Sequence, residues 1–303
     1  MRVFVAGGSG VLGRRLIPQL VNRGHQVTAT TTTAGKLALL EELGATGVVM
    51  DGLDSVAVGE AVAAARPDAI VNQMTALSVA HSKPNPRRPD RFFAVTNRLR
   101  SEGIDHLLAA AEATGVAHVV TQSHASMNGI RTGGWVKTED DPLEVLDGTK
   151  AINHLEEAVV RAGGAVLRYG GFYGPGAHDE QLHLIRKRLI PIIGGGTGYV
   201  SWVHVDDAAS ATVVAVEQRA RGVFNIVDDE PAPVSVWLPY LARCLGAKPP
   251  RRVPAWLARL LAGEMAVGVM TQGRGFSNAK AKRELGWTPR YASWRQGFKD
   301  ELA

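Results

Sequence analysis

The sequence holds a single cysteine, Cys244, in 303 residues, so no internal disulfide can form. The chain therefore reads as suited to a reducing compartment, by default the cytoplasm. Long hydrophobic runs are missing too. The best candidate, Ala255 to Met270, is broken by Arg259 and Glu264 and falls short of the roughly 18 to 20 apolar residues of a membrane span, so no membrane partner is expected. Basic clusters are scarce: the 34 Lys and Arg against 29 Asp and Glu are scattered, and the densest groups are Arg87-Arg88 and Lys248 to Arg252. Without a basic face, nucleic-acid binding is not expected. The formal charge of +5 fits either a solvated surface or an anionic cofactor or substrate. Repeats and low-complexity tracts are absent, and the 45% apolar content belongs to a globular chain rather than a disordered or fibrous one.

Strand-like and helix-like runs alternate along the first half. Arg2 to Ala6 reads as a strand, and the glycines after it separate the start from a signal peptide. Gly13 to Arg23 has helical spacing of Leu16, Ile17, Leu20 and Val21, with Gly24 placed to end it. Strands are then expected at 25–30, 47–50, 69–73, 118–122 and 165–168, and helices at 36–43, 56–65, 92–114 and 150–161. This is the pattern of an α/β fold, a Rossmann-type doubly wound parallel sheet. Near residue 170 the regular sheet is expected to end. Residues 1–170 would form the dinucleotide-binding domain and 171–303 mainly a small C-terminal substrate lobe, with some segments returning to the first. Helices are expected there near 179–188, 206–218, 236–245 and 254–270. Trp256, Leu257, Leu260 and Leu261 have the helical spacing of lobe packing.

The sharpest motif is Gly7-Gly8-Ser9-Gly10-Val11-Leu12-Gly13, a G-x-x-G-x-x-G loop between the first strand and the first helix. Glycines let the backbone turn tightly and approach a pyrophosphate, whose charge the helix N-terminus stabilises. Gly7, Ser9, Gly10, Val11, Leu12 and Gly13 are thus candidate dinucleotide-binding residues.

With this loop the chain resembles the extended and atypical short-chain dehydrogenase/reductase superfamily, of the NAD-dependent epimerase/dehydratase type. The resemblance also rests on Asp51, on Val119 to Gly129, on Leu167 to Tyr169 through Tyr173-Gly174-Pro175-Gly176, on Trp202 to Asp207, and on Asn278 to Trp287. It implies a nicotinamide cofactor and a small-molecule substrate. An acidic residue at the end of the second strand would select NAD. Thr31 stands there instead, with Thr32 and Lys36 beyond, and NADP is preferred over NAD. The resemblance adds Asp51 and Gly52, the strand end Gln73-Met74-Thr75, Asn97 and Tyr169 as cofactor contacts. Gly103 lies about one helical turn later after Asn97 than the family's pattern has it.

The superfamily's catalytic Y-x-x-x-K is missing. Aligning on Lys150 puts Leu146 in the tyrosine's place, whereas aligning on Glu157, as the family's following glutamate, gives Thr149 and Asn153. The segment Gln122-Ser123-His124-Ala125-Ser126 carries His124 where the family's hydroxyl is expected. A histidine titrates near neutral pH and can serve as a replacement acid. Equally, it can be a polar residue at the cofactor's edge. Ser123 and Ser126 are substitute hydroxyls, Lys150 either a ribose contact or a surface lysine, and Tyr173 a site residue or a core aromatic. Trp202 and Arg274 are candidate substrate contacts. No metal is expected, since His204 with Asp206 and Asp207 is a poor ligand set. The expected function is an NAD(P)-dependent oxidoreductase acting on a small carbonyl, hydroxyl or sugar-like substrate. The rivals are a nucleotide-sugar epimerase or dehydratase and a non-catalytic NAD(P)-sensing regulator. A homodimer is a possible assembly.

Overall fold

A computed structural model describes residues 1–77, 89–125, 131–142 and 147–302. Strands β1 (Arg2–Ala6), β2 (Gln26–Thr31), β3 (Thr46–Val49), β4 (Ala69–Asn72), β5 (Val119–His124), β6 (Ala165–Tyr169) and β7 (Gly222–Ile226) form one sheet, in the order β7-β6-β5-β4-β1-β2-β3. All pairings are parallel. The chain thus runs outward from β1 to β3, returns to the middle at β4 and runs outward the other way. That reversal opens a crevice at the carboxyl ends of β1 and β4, the usual ligand position of such a sheet.

The crossovers are α1 (Gly13–Asn22), α2 (Leu37–Glu42), α3 (Ser55–Ala65), then α4 (Pro89–Arg98) continued by α5 (Ile104–Thr114), and α6 (Lys150–Arg161). Later come α7 (Asp179–Arg186), α8 (Val205–Glu217), α9 (Val234–Cys244), α10 (Ala255–Gln272), α11 (Ala279–Leu285) and α12 (Trp294–Leu302). In α1 the buried residues Gly13, Leu16, Ile17 and Leu20 follow a helical stripe, and they join Val3, Val5, Ala29 and the α8 residues Ala208, Ala211 and Val213 in one core. Gly24, in the left-handed region at φ 79°, ends the helix. On the opposite face Phe4, Val58, Val62, Ile70, Leu107 and Ala111 pack together. Burying each large aliphatic or aromatic side chain contributes roughly 1.5–3 kcal/mol.

Three expectations need correction. The sheet does not end near residue 170: β7 pairs with β6 from Gly222 opposite Ala165 to Ile226 opposite Tyr169, a long-range pairing that leaves little periodicity in so short a strand. The helix expected over 92–114 is interrupted by a π turn at Leu99–Gly103, where the ladder widens by one residue per turn. Trp256, Leu260 and Leu261 line no core; they are 63%, 64% and 63% exposed, because α10 breaks at Gly263 (φ 82°) and buries Ala258, Val267 and Gly268 instead.

Beyond β6, a short parallel pair joins Gly171–Tyr173 to Trp202–His204. Around it Tyr173, Trp202, Trp237, Leu238, Trp294 and Phe298 make a second apolar core. Among the described residues no helix is long and apolar enough to cross a membrane.

Candidate active site

The glycine loop lies at the crevice, and its glycines have separate tasks. Gly7 has φ 88°, and a Cβ there would come within 2.8 Å of the Gln73 carbonyl oxygen at the end of β4. A Cβ on Gly13 would collide with the Gly8 backbone, so only glycine lets α1 start this close to the loop. Gly10 is exposed, and its N–H donates to the Gly7 carbonyl at 3.1 Å. The start of α1 has neither a side-chain cap nor an acidic residue in its first turn; Arg14 and Arg15 follow directly. Such an uncapped N-terminus offers free amides and a positive dipole end to an anion. The loop therefore fits a dinucleotide pyrophosphate.

β2 is laced to this loop. The Gly7 N–H donates to Thr30 Oγ1 at 3.0 Å, and the Ser9 hydroxyl donates to Thr31 Oγ1 at 3.1 Å. Thr31 is buried, with its oxygen also accepting from the Thr33 N–H at 3.3 Å. Its role here is to brace the loop, while Thr32, Thr33 and Lys36 are the exposed groups beyond the strand. Asp51 is exposed and caps its own turn by accepting from the Leu53 N–H at 2.9 Å. Gly52 makes room for the Met74 side chain beneath Leu99. Met74 is further held by its N–H to Asn72 Oδ1 at 3.1 Å and its carbonyl to the Gln122 amide at 3.3 Å. Gln73 is buried and Thr75 exposed. The Asn97 Oδ1 is buried without a hydrogen-bond partner among the described residues.

At the carboxyl end of β5, Ser123 is buried and its hydroxyl donates to Glu156 Oε1 of α6 at 2.5 Å. Arg168 of β6 closes on the same carboxylate, with Nε at 3.0 and 3.1 Å and Nη2 at 2.6 Å. This buried, bidentate pair fixes how α6 sits on the sheet. Sequence reasoning missed Glu156 and Arg168, which meet only when α6 folds onto β6. Counting back from Glu156 by four and by eight residues gives Ile152, which is buried, and Gly148. In the Glu157 alignment Thr149 is buried and Asn153 half-buried, and Leu146 of the Lys150 alignment lies outside the described residues. Lys150 begins α6 and is exposed. Ser126 lies outside the described residues.

His124 ends β5 half-buried. Burial, and secondarily the charge of the Arg100 guanidinium, push its imidazole down to about 4, so it is uncharged at neutral pH. Arg100, another residue sequence reasoning missed, belongs to the π turn. Its only signal was the late Gly103.

The remaining candidates lie elsewhere. Tyr169 is buried, its hydroxyl paired with Thr212 Oγ1 at 2.6 Å and pushed up to about 12 by burial. It ties β6 to α8 and also meets Gln73 at the end of β4. Tyr173 is fully buried against His204, Tyr291 and Phe298, and its hydroxyl has no hydrogen-bond partner among the described residues. Trp202 packs edge-on against Trp237 and Phe298. Both aromatics belong to the second apolar core. Arg274 lies over the Trp135 ring at 4.3 Å, donating to the Gln272 and Arg131 carbonyls, which fastens it to the 131–137 loop. His204 caps α8 by accepting from the Asp206 N–H at 3.1 Å, while its Nε2 meets Glu301 at 3.1 Å.

A model of the NAD dependent epimerase/dehydratase family matches residues 3–227. The chain belongs to that family. Members include a "3-diazoavenalumate denitrifying reductase" of a Streptomyces species, 42% identical over 98% of this chain and 99% of the relative. A "2-alkyl-3-oxoalkanoate reductase" of Stenotrophomonas maltophilia is 28% identical over 82% of this chain and 76% of the relative. Among solved structures, a UDP-glucose 4-epimerase of Thermotoga maritima superposes with a TM-score of 0.80 at 22% identity, covering 100% of this chain and 97% of that one. The family member described here is accordingly an enzyme of the oxidoreductase and epimerase type with the family's fold.

Proposed function

We propose that this family member is an NADPH-dependent reductase that replaces dinitrogen by hydride on an aromatic carbon. The observation that carries the reading is the state of the groups at the end of β5. Ser123 donates its hydrogen bond to Glu156, His124 is uncharged at neutral pH, and α6 presents Ile152 and Gly148 along the face above Glu156. Reduction of a carbonyl leaves an alkoxide that needs a proton, usually from a positioned acid. Replacement of dinitrogen on an aryl diazonium carbon needs none: one C–N bond breaks, one C–H bond forms, N2 leaves, and cation plus hydride is neutral. The dinucleotide, when bound, supplies the hydride. Among the described residues this edge is poor in acids, which suits that chemistry. The 42% identical relative is named for a denitrifying reduction, which supports the same class.

The residues that would hold the cofactor are those of the loop, from Gly7 to Gly13, with the uncapped start of α1 against the pyrophosphate. Preference for the phosphorylated form is supported by Thr32, Thr33 and Lys36, exposed just past β2 with no carboxylate among residues 31–36. A soluble catalyst working in the cytoplasm fits the single cysteine, Cys244.

The test is incubation of the purified protein with NADPH and 3-diazoavenalumate, following NADPH oxidation, loss of the diazo chromophore and N2 release together. Equal amounts of all three are expected. Consumption of NADPH with carbonyl compounds, and none with the diazo compound, would overturn the reading.

A further inference from the structure

Arg100 is a buried cation with no counter-charge among the described residues. It is only 7% exposed, yet it forms no hydrogen bond or ion pair among the described residues, and burial alone lowers its basicity, to about 10. The other arginines show how unusual this is. Arg168, buried to a similar degree, is closed on both oxygens of Glu156, and the neighbouring Arg98 donates to Glu102 at 2.7 and 2.9 Å. A guanidinium carries five N–H donors that must find acceptors when water is excluded. Among the described residues no carboxylate or carbonyl pairs with Arg100.

Its position explains what would answer them. The π turn at Leu99–Gly103 packs between the end of β4, where Leu99 touches the Gly52–Met74 contact, and α6. The guanidinium charge is felt at His124, at the carboxyl end of β5. A π turn is an insertion of one residue into a helix and commonly serves to reposition a side chain at a functional site. Here it sets a cation beside the crevice.

We propose that Arg100 receives a carboxylate of the substrate in a bidentate pair, so that the enzyme acts on an aromatic acid rather than on a neutral diazo compound. The planar fork matches a carboxylate's two oxygens, and the pair would orient the ring in the crevice. This assignment rests on the reading of the β5 edge as the hydride-accepting site, and it deepens that reading by naming the acidic group of the substrate.

The experiment uses the NADPH-loaded protein and a stable probe, 4-hydroxycinnamate, against its methyl ester, read by thermal shift and fluorescence titration. The acid should stabilise the wild type and the ester should not. Arg100→Gln should bind the acid at least tenfold more weakly with its NADPH affinity unchanged, and Arg100→Lys should recover part of the loss. Retained NADPH binding also shows that the variant is folded. In R100Q the His124 resonance should titrate at higher pH, since part of its depression comes from the guanidinium. Equal binding of acid and ester by the wild type, equal binding of the acid by R100Q and wild type, or loss of NADPH affinity instead of acid affinity would each overturn the assignment. Turnover keeps the two ideas apart. Acid binding that depends on Arg100 without diazo turnover contradicts the denitrifying reading alone, whereas diazo turnover with an unchanged KM in R100Q contradicts the Arg100 assignment alone.

Discussion

An imidazole that titrates near 4 in the folded protein and near 6.5 in the unfolded chain ties stability to pH. The folded pKa is depressed, so His124 contributes its full stability above about pH 6.5 and loses it as the pH falls toward 4. The whole effect is at most about 3 kcal/mol. Urea midpoints at pH 7 and pH 5 should therefore converge more in His124→Gln than in the wild type; an identical decline in both would contradict the folded-state pKa. Ser123 offers a second check at this scale. Its hydroxyl is one of several donors to Glu156, so Ser123→Ala should cost about 1 kcal/mol and leave turnover intact. Glu156→Gln strands the buried Arg168 charge and should cost about 3–5 kcal/mol in chemical denaturation. A loss of turnover in S123A with normal stability would return that serine to the chemistry.

The glycine loop is the element where sequence and structure agree most closely. Its spacing, the strand before it and the stripe of Leu16, Ile17 and Leu20 after it are local features, and each has a visible physical counterpart in the φ of Gly7 and the contact of Gly13 with Gly8. Gly13→Ala should accordingly lower stability by roughly 1–3 kcal/mol and abolish NADPH-induced stabilisation. Gly10→Ala, which meets only the Gly7 carbonyl at 3.3 Å, should fold normally; thermal melts with and without NADPH read both effects. Helix α6 was legible as an element but not in register, because the partner that fixes it, Arg168, arrives from β6. The π turn was illegible for the same kind of reason. Its helical periodicity is nearly that of α4 and α5, and the displaced Gly103 was the one irregularity the segment showed. β7 depended on a pairing with β6 that no local pattern encodes.

At the scale of the whole molecule, the sheet order places the ends of β1, β2, β4 and β5 around one crevice, and the chain after β6 leaves it to build a separate apolar core. That routing decides the fate of the aromatics. Tyr173 looked equally suited to a pocket or a core and Trp202 was a candidate substrate contact; the pairing of Gly171–Tyr173 with Trp202–His204 sets both in the second apolar core. Among the described residues the crevice holds a cradle for an anion and a histidine uncharged at neutral pH, with Arg100 buried nearby. These support hydride delivery without an enzymic proton donor, and the account is most directly tested by the destination of that hydride. In a single turnover with NADPH carrying deuterium at the transferred position and 3-diazoavenalumate, mass spectrometry should find one deuterium on the carbon that bore the diazo group, with a rate that stays flat from about pH 6 to 9. A product without deuterium at that carbon, or a rate that falls with the titration of a single acid, would contradict it.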